Sequence, residues 1–116
     1  MVPAPVVVGL GAVVGATARY ATGELLDGTD FPLATLLVNV AGSFLLGLAV
    51  FGGLDGSAAL FFAVGLCGSL TTYSSFAVDT VDLSTASTRR AAAYVVATTG
   101  LCLLAVAVAA GLVSLV

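Results

Sequence analysis

The sequence predicts an all-α integral membrane protein with four transmembrane helices, the third broken mid-membrane. Three observations predict it. Hydrophobic residues make up 60% of the chain and charged residues only 8%, against roughly a quarter charged in soluble domains. Mean hydropathy is +1.23. Four segments approach the ~20 apolar residues that cross a bilayer, and the third carries glycines and hydroxyls where hydrocarbon would surround it. The 116 residues allow a single domain, 1–116. With no histidine and only two cysteines, Cys67 and Cys102, no His/Cys metal site can be assembled. Both cysteines lie in apolar runs and read as small hydrophobes. Three basic residues, all arginine, form no basic patch, which argues against nucleic acid as a partner.

The first span is expected from Pro5 to Thr22. It lacks a basic leader, and Arg19 and Tyr20 follow the apolar run, so it reads as a retained helix and not a cleaved signal. Gly11, Gly15, Arg19 and Gly23 are spaced by four and share one helical face. Their plain reading is close helix packing. Arg19 is the one cation inside the helical region: an intramembrane ionisable group is a functional candidate, while a structural or vestibule role, snorkelling to the interface, is the simpler account.

The second span is expected from Pro32 to Phe51. Pro5 and Pro32 suit first-turn positions, where a missing N–H is harmless. Thr35, Asn39, Ser43 and Gly47 make a stripe of small and polar groups at four-residue spacing. An asparagine at mid-membrane must find partners in protein or water. It either glues two helices or offers an amide N–H to an anion, and spacing does not choose between these.

The third span is expected from Ser57 to Val81. Within it, Gly65-Leu66-Cys67-Gly68-Ser69-Leu70-Thr71-Thr72-Tyr73-Ser74-Ser75-Phe76 combines two glycines with five Ser/Thr hydroxyls. A lipid-facing continuous helix would not choose this; a broken one would, because glycine permits turns and hydroxyls satisfy freed backbone groups. Broken helices at this depth expose carbonyls and helix N-termini to ions. The competing account is a polar kink packed inside a bundle. Tyr73 and Phe76 share a face. Such a pair fills a core, or its positive ring edges solvate a small anion. Ser74 and Ser75 add hydroxyls. Asp79 follows one turn later. The fourth span is expected from Arg90 to Leu115, after a Ser/Thr-rich connection from Asp82 to Arg89.

The connection from Gly23 to Phe31 holds Glu24, Asp27 and Asp30, and that from Gly52 to Gly56 holds Asp55. All three arginines lie on, or at the edge of, the side bearing the first and third connections. The positive-inside rule places that side in the cytoplasm and both termini outside.

Three stretches resemble the Fluc/CrcB fluoride channel family. Gly11-Ala12-Val13-Val14-Gly15-Ala16-Thr17-Ala18-Arg19-Tyr20 resembles its GxxxGAxxRY opening. Ala34 to Gly47, with Val38-Asn39 and Gly42-Ser43-Phe44, resembles its GTLxVNxxGSFxxG pattern. Gly65 to Phe76 resembles its GxCGxxTTFSTF pattern. The resemblance covers all four spans in order. It implies an antiparallel dimer with ion pathways between subunits, and passive, selective fluoride export that lowers cytoplasmic fluoride across the cell membrane. It implies a pathway lined by Asn39, Tyr73, Ser74, Ser75 and Phe76, where amide, hydroxyls and ring edges replace fluoride's water. It also implies a structural sodium ion on the backbone carbonyls of Gly68 and Thr71, oxygen donors suited to a hard cation. Tyr73 departs from the family's usual Phe, placing a hydroxyl where a ring edge stands. The one-sided arginines suit a chain that inserts in one orientation and pairs with an oppositely oriented paralogue; a homodimer is the family's common form. Two other readings remain. A small dimeric multidrug exporter needs a carboxylate within its first helix, and here Glu24 falls beyond Arg19. A non-conducting assembly subunit explains the small-residue stripes but not the hydroxyl-rich break. No base–nucleophile pair is placed within the helices, so an enzyme is not expected.

Overall fold

The computed structural model describes residues 1–26 and 28–116; the acid expected at Asp27 lies outside the described residues. Helix α1 spans Ala4–Leu25 and α2 spans Leu33–Phe51. The third span, Gly56–Ala86, divides into α3 (residues 56–70) and α4 (Tyr73–Ala86). Helix α5 spans Thr88–Ser114. All four spans are long and apolar enough to cross a membrane, and no strand forms among the described residues.

The ends follow local chemistry. Pro3 caps α1 and Pro5 sits in its first turn, where no intrahelical N–H is lost. Helix α1 runs to Leu25, just short of a turn beyond its expected end, so Gly23 and Glu24 are helical and do not belong to the connection. Gly52 and Gly53 stop α2. Gly53 takes a left-handed φ of 73°, Gly53 N–H donates to the Val50 carbonyl at 3.2 Å, and Leu54 N–H donates to that of Ala49 at 2.9 Å, the paired bonds of a Schellman stop.

The expected Ser/Thr-rich connection from Asp82 to Arg89 is almost entirely helical. Helix α4 continues to Ala86 and α5 begins at Thr88, leaving Ser87 as the turn. Ser87 is extended, with φ −161°. Its N–H closes α4 on the Leu83 carbonyl at 2.8 Å, and its hydroxyl accepts the Arg90 N–H at 3.2 Å to open α5. Hydroxyls that look loop-like in sequence therefore cap helices.

Spans one and three run parallel. Gly11 lies against Phe61 and Leu66 backbone, Gly15 against Leu66 and Ser69, and Arg19 reaches Thr71. Spans two and four also run parallel, with Phe31 edge-on to Tyr94 and Gly47 against Val106 and Ala109. This is the arrangement of alternating crossings. From Leu60 to Cys67, α3 is π-helical, a rare, widened form usually limited to single turns that hydropathy and spacing do not foretell.

The molecule measures 51 × 31 × 20 Å, so its short axis is about two helix diameters. A slab this thin buries little. A small cluster of Leu83, Ala91 and fully buried Tyr94 is flanked by Phe31, Leu36 and Phe76. Leu10, Val13, Leu103, Leu104 and many other large apolar side chains stay outside, as a protein solvated by lipid allows.

Candidate functional site

The chain leaves helical geometry at two residues, Thr71 (φ −81°, ψ 158°) and Thr72 (φ −152°, ψ 122°). The glycines expected to form the break do not. Gly68 is right-handed at φ −64°, ψ −31°, and Gly65 lies inside the π-helical stretch. Threonines suffice because side chains take over the backbone bonds that the break releases.

Asn39 does most of this. Its Oδ1 accepts the Thr72 N–H at 2.8 Å, and its Nδ2 donates to the Thr72 carbonyl at 3.0 Å. In a continuous helix the Thr72 N–H would go to the Gly68 carbonyl, so Asn39 frees that carbonyl. Thr72 Oγ1 then accepts the Ser75 N–H at 3.1 Å, capping α4 and freeing the Thr71 carbonyl from its own i+4 donor. Arg19 Nη1 donates to the Thr71 carbonyl at 3.4 Å. Thr71 Oγ1 donates back to the Cys67 carbonyl at 2.9 Å and Ser69 Oγ to that of Leu66 at 3.1 Å, closing the end of α3. The glue reading of Asn39 is therefore realised in the fold. Its second Nδ2 hydrogen is not used by Thr72, which leaves a donor for a ligand.

Beside the break lies an open cleft of about 440 Å³ between α2, α3, α4 and α5. Asn39, Gly68, Thr71, Tyr73 and Phe76 line it, together with Ser43 of the polar stripe. The start of α4 faces this region, with the first-turn N–H groups and positive dipole end that attract anions. Ser74 and Ser75 are exposed and lie outside the cleft lining. Ser74 Oγ is 3.3 Å from Thr72 Oγ1. Arg19 sits across the break, on α1.

The aromatic pair belongs to a longer row. Tyr73 and Phe76 have centroids 5.9 Å apart, Phe76 and Tyr94 5.3 Å, and Tyr94 and Phe31 5.5 Å with an interplanar angle of 86°. Tyr73 ends the row, 81% exposed. Tyr94 donates its hydroxyl to Asp79 Oδ2 at 3.4 Å. Sequence reasoning passed over Tyr94 and set Asp79 aside. It also missed Thr98, which lines the cleft with a buried hydroxyl lacking a protein partner. The signal was present: Tyr94, Thr98 and Cys102 are four apart on a span whose middle is otherwise apolar but for Thr99, the same pattern that exposed Asn39.

The profile of the CrcB-like family, described as "CrcB-like protein, Camphor Resistance (CrcB)", matches residues 6–112. The chain belongs to the CrcB-like family. It is 51% identical over 76 residues to a protein of Haloarcula marismortui named "Fluoride-specific ion channel FluC 2"; the match covers 66% of this chain and 64% of that one, just under two thirds of it. It is 41% identical over 91 residues to "Fluoride-specific ion channel FluC 1" of Halobacterium salinarum, covering 78% of this chain and 76% of the relative. A "Fluoride-specific ion channel FluC" of Thermus thermophilus is 45% identical over 83 residues, with 66% of each chain covered. As a CrcB-like protein with four apolar spans, the chain is a multi-pass membrane protein.

Proposed function

We propose that this chain is a subunit of a fluoride-selective channel that passively exports fluoride across the cytoplasmic membrane and thereby confers fluoride resistance. The observation that carries the reading is the Asn39-tethered break facing a cleft that also receives Tyr73 and Phe76. The names of its CrcB-like relatives point the same way. Conduction of this kind requires no catalysis.

Fluoride is small and strongly hydrated, so a path must offer dense donors in a narrow space. The residues supply three kinds. Asn39 contributes its spare N–H. The start of α4 contributes backbone N–H groups and dipole, with Ser74 and Ser75 hydroxyls beside it. Tyr73 and Phe76 contribute positive ring edges. A larger, more weakly hydrated halide gains less from such donors.

A cleft of about 440 Å³ is far too wide for one small ion. A second subunit narrows it in this reading, and an antiparallel dimer is what membership of the CrcB-like family implies. The partner is a second copy of this chain or an oppositely oriented paralogue; the arginines on one side of the membrane are the observation that argues for the paralogue. Sodium is the proposed structural cofactor. The residues fit it: the Gly68 and Thr71 carbonyls have both lost their i+4 donors to side-chain caps, and oxygen suits a hard cation. When bound, the ion would supply a fixed positive charge beside the path. A multidrug exporter is not favoured, since Glu24, the acid of α1, is exposed at that helix's last turn.

Fluoride efflux from proteoliposomes, with chloride as control, tests the reading. Efflux of fluoride but not chloride is expected from the purified protein, with a companion subunit where one is required. Asn39→Ala and Phe76→Ile are each expected to abolish the flux while the assembly still elutes as folded protein. Normal conduction by both variants would remove the pathway assignment.

A further inference from the structure

We propose that Arg19 competes with sodium for the Thr71 carbonyl, so that its charge sets how readily the ion occupies the break. The inference rests on the sodium reading above and goes beyond it.

Three observations carry it. The Thr71 carbonyl has lost its helical donor, because Ser75 N–H is bound to Thr72 Oγ1. The side-chain donor that takes its place is cationic: Arg19 Nη1, at 3.4 Å. The Gly68 carbonyl has been freed in the same way, by Asn39, yet receives no such donor from Arg19. Of the two proposed ion ligands, one is therefore open and the other already faces a positive charge.

A carbonyl oxygen has two lone pairs and can accept twice. Two cations drawn to one oxygen nevertheless repel each other, and more strongly here than in water because the effective dielectric is low. Arg19 is exposed and its hydrogen bond is long. Its flexible stem lets the guanidinium withdraw toward the interface. The geometry is thus that of a displaceable resident charge. Arg19 weakens sodium binding, and by linkage sodium loosens Arg19 by the same factor. The opposite role, in which Arg19 orients the carbonyl and so favours sodium, makes the opposite prediction.

The test uses the purified assembly in detergent. Melting temperature is followed as sodium chloride replaces N-methylglucamine chloride at constant ionic strength. Arg19→Gln keeps a side-chain donor without the charge. It is expected to reach half of the sodium stabilisation at about tenfold lower sodium than the unmutated protein, within the usual range of such couplings. Arg19→Lys keeps the charge and is expected to stay near the unmutated midpoint. An unchanged or higher midpoint in Arg19→Gln overturns the proposal, as does Arg19→Lys shifting as far as Arg19→Gln. If no protein is stabilised by sodium, the sodium reading fails and takes the competition with it; if all respond with one midpoint, only the competition fails. A second measurement needs no variant. Phenylglyoxal modification of Arg19, read by mass spectrometry against Arg89 and Arg90, is expected to quicken as sodium is added. A sodium-independent rate overturns the proposal.

Discussion

The two halves of the third span are held by opposite means. Helix α3 presses its backbone directly on α1. An added carbon on Gly11 would meet Phe61 and Leu66 backbone, one on Gly15 the Leu66 carbonyl and Ser69, and one on Gly65 the Val8 carbonyl and Gly11 Cα. Helix α4 touches its neighbours through side chains instead: Asn39 on Thr72, Phe76 on Tyr94, Tyr94 on Asp79. In lipid, where apolar surface alone does not drive helices together, these are the two available devices, close approach of small residues and interhelical polar bonds. In this span they divide the labour. Backbone contact makes α3 a fixed post. Side-chain contact lets the break beside it expose carbonyls, N–H groups and ring edges without losing its place.

The backbone contact of α3 on α1 is most directly lost at Gly65. Gly65→Ala sets a methyl against backbone atoms that cannot rotate away, so α1 and α3 must part; a loss of about 3 kcal/mol, at the upper end of overpacking costs, is expected. Thermal denaturation of the purified protein reads it, and an unchanged midpoint would mean that the contact is not tight. Asn39→Ala ranks next. It strands the Thr72 N–H and carbonyl together, and about 2 kcal/mol is expected from the desolvated groups. The same denaturation measurement checks it, and the protein should remain folded, separating this effect from the loss of flux. Gly68→Ala is the sharpest control and the smallest effect. Nothing stands within 4 Å of the added carbon and the backbone is right-handed. The change should be neutral or stabilising by less than about 1 kcal/mol, with the Gly68 carbonyl kept. A large loss there would show that small size is demanded along the whole of α3 and not only where α1 leans on it.

Much of the arrangement was legible before any coordinates. Four spans follow from hydropathy, and the position of the break follows from hydroxyls that lipid would not tolerate. Asn39 stood out because a four-residue stripe is visible in any helix. Other features were misjudged for identifiable reasons. Gly23 shares a spacing with Gly11 and Gly15, yet it has nothing within 4 Å, because periodicity names a face without saying how far a neighbour extends along it. Of the two reasons for expecting the break, glycine's freedom is not used, while the hydroxyls act as expected: extended threonines make the break and their side chains cap what they interrupt. Serines and threonines between Asp82 and Arg89 suggested a connection, whereas most of them close helical bonds.

The sequence by itself determined that this chain lives in a bilayer, how many times it crosses, and where the third crossing fails, because desolvation of polar groups is a property of each residue and needs no partner to be felt. Only the tertiary structure decided what the polar residues do. Whether Asn39 faces a ligand or a backbone, which carbonyls are left open, and that Arg19 reaches one of them all depend on which atoms of distant segments stand within about 3 Å, the reach of a hydrogen bond. That distance is set by the packing of α1 on α3 and of α2 on α5, and no single helix contains it.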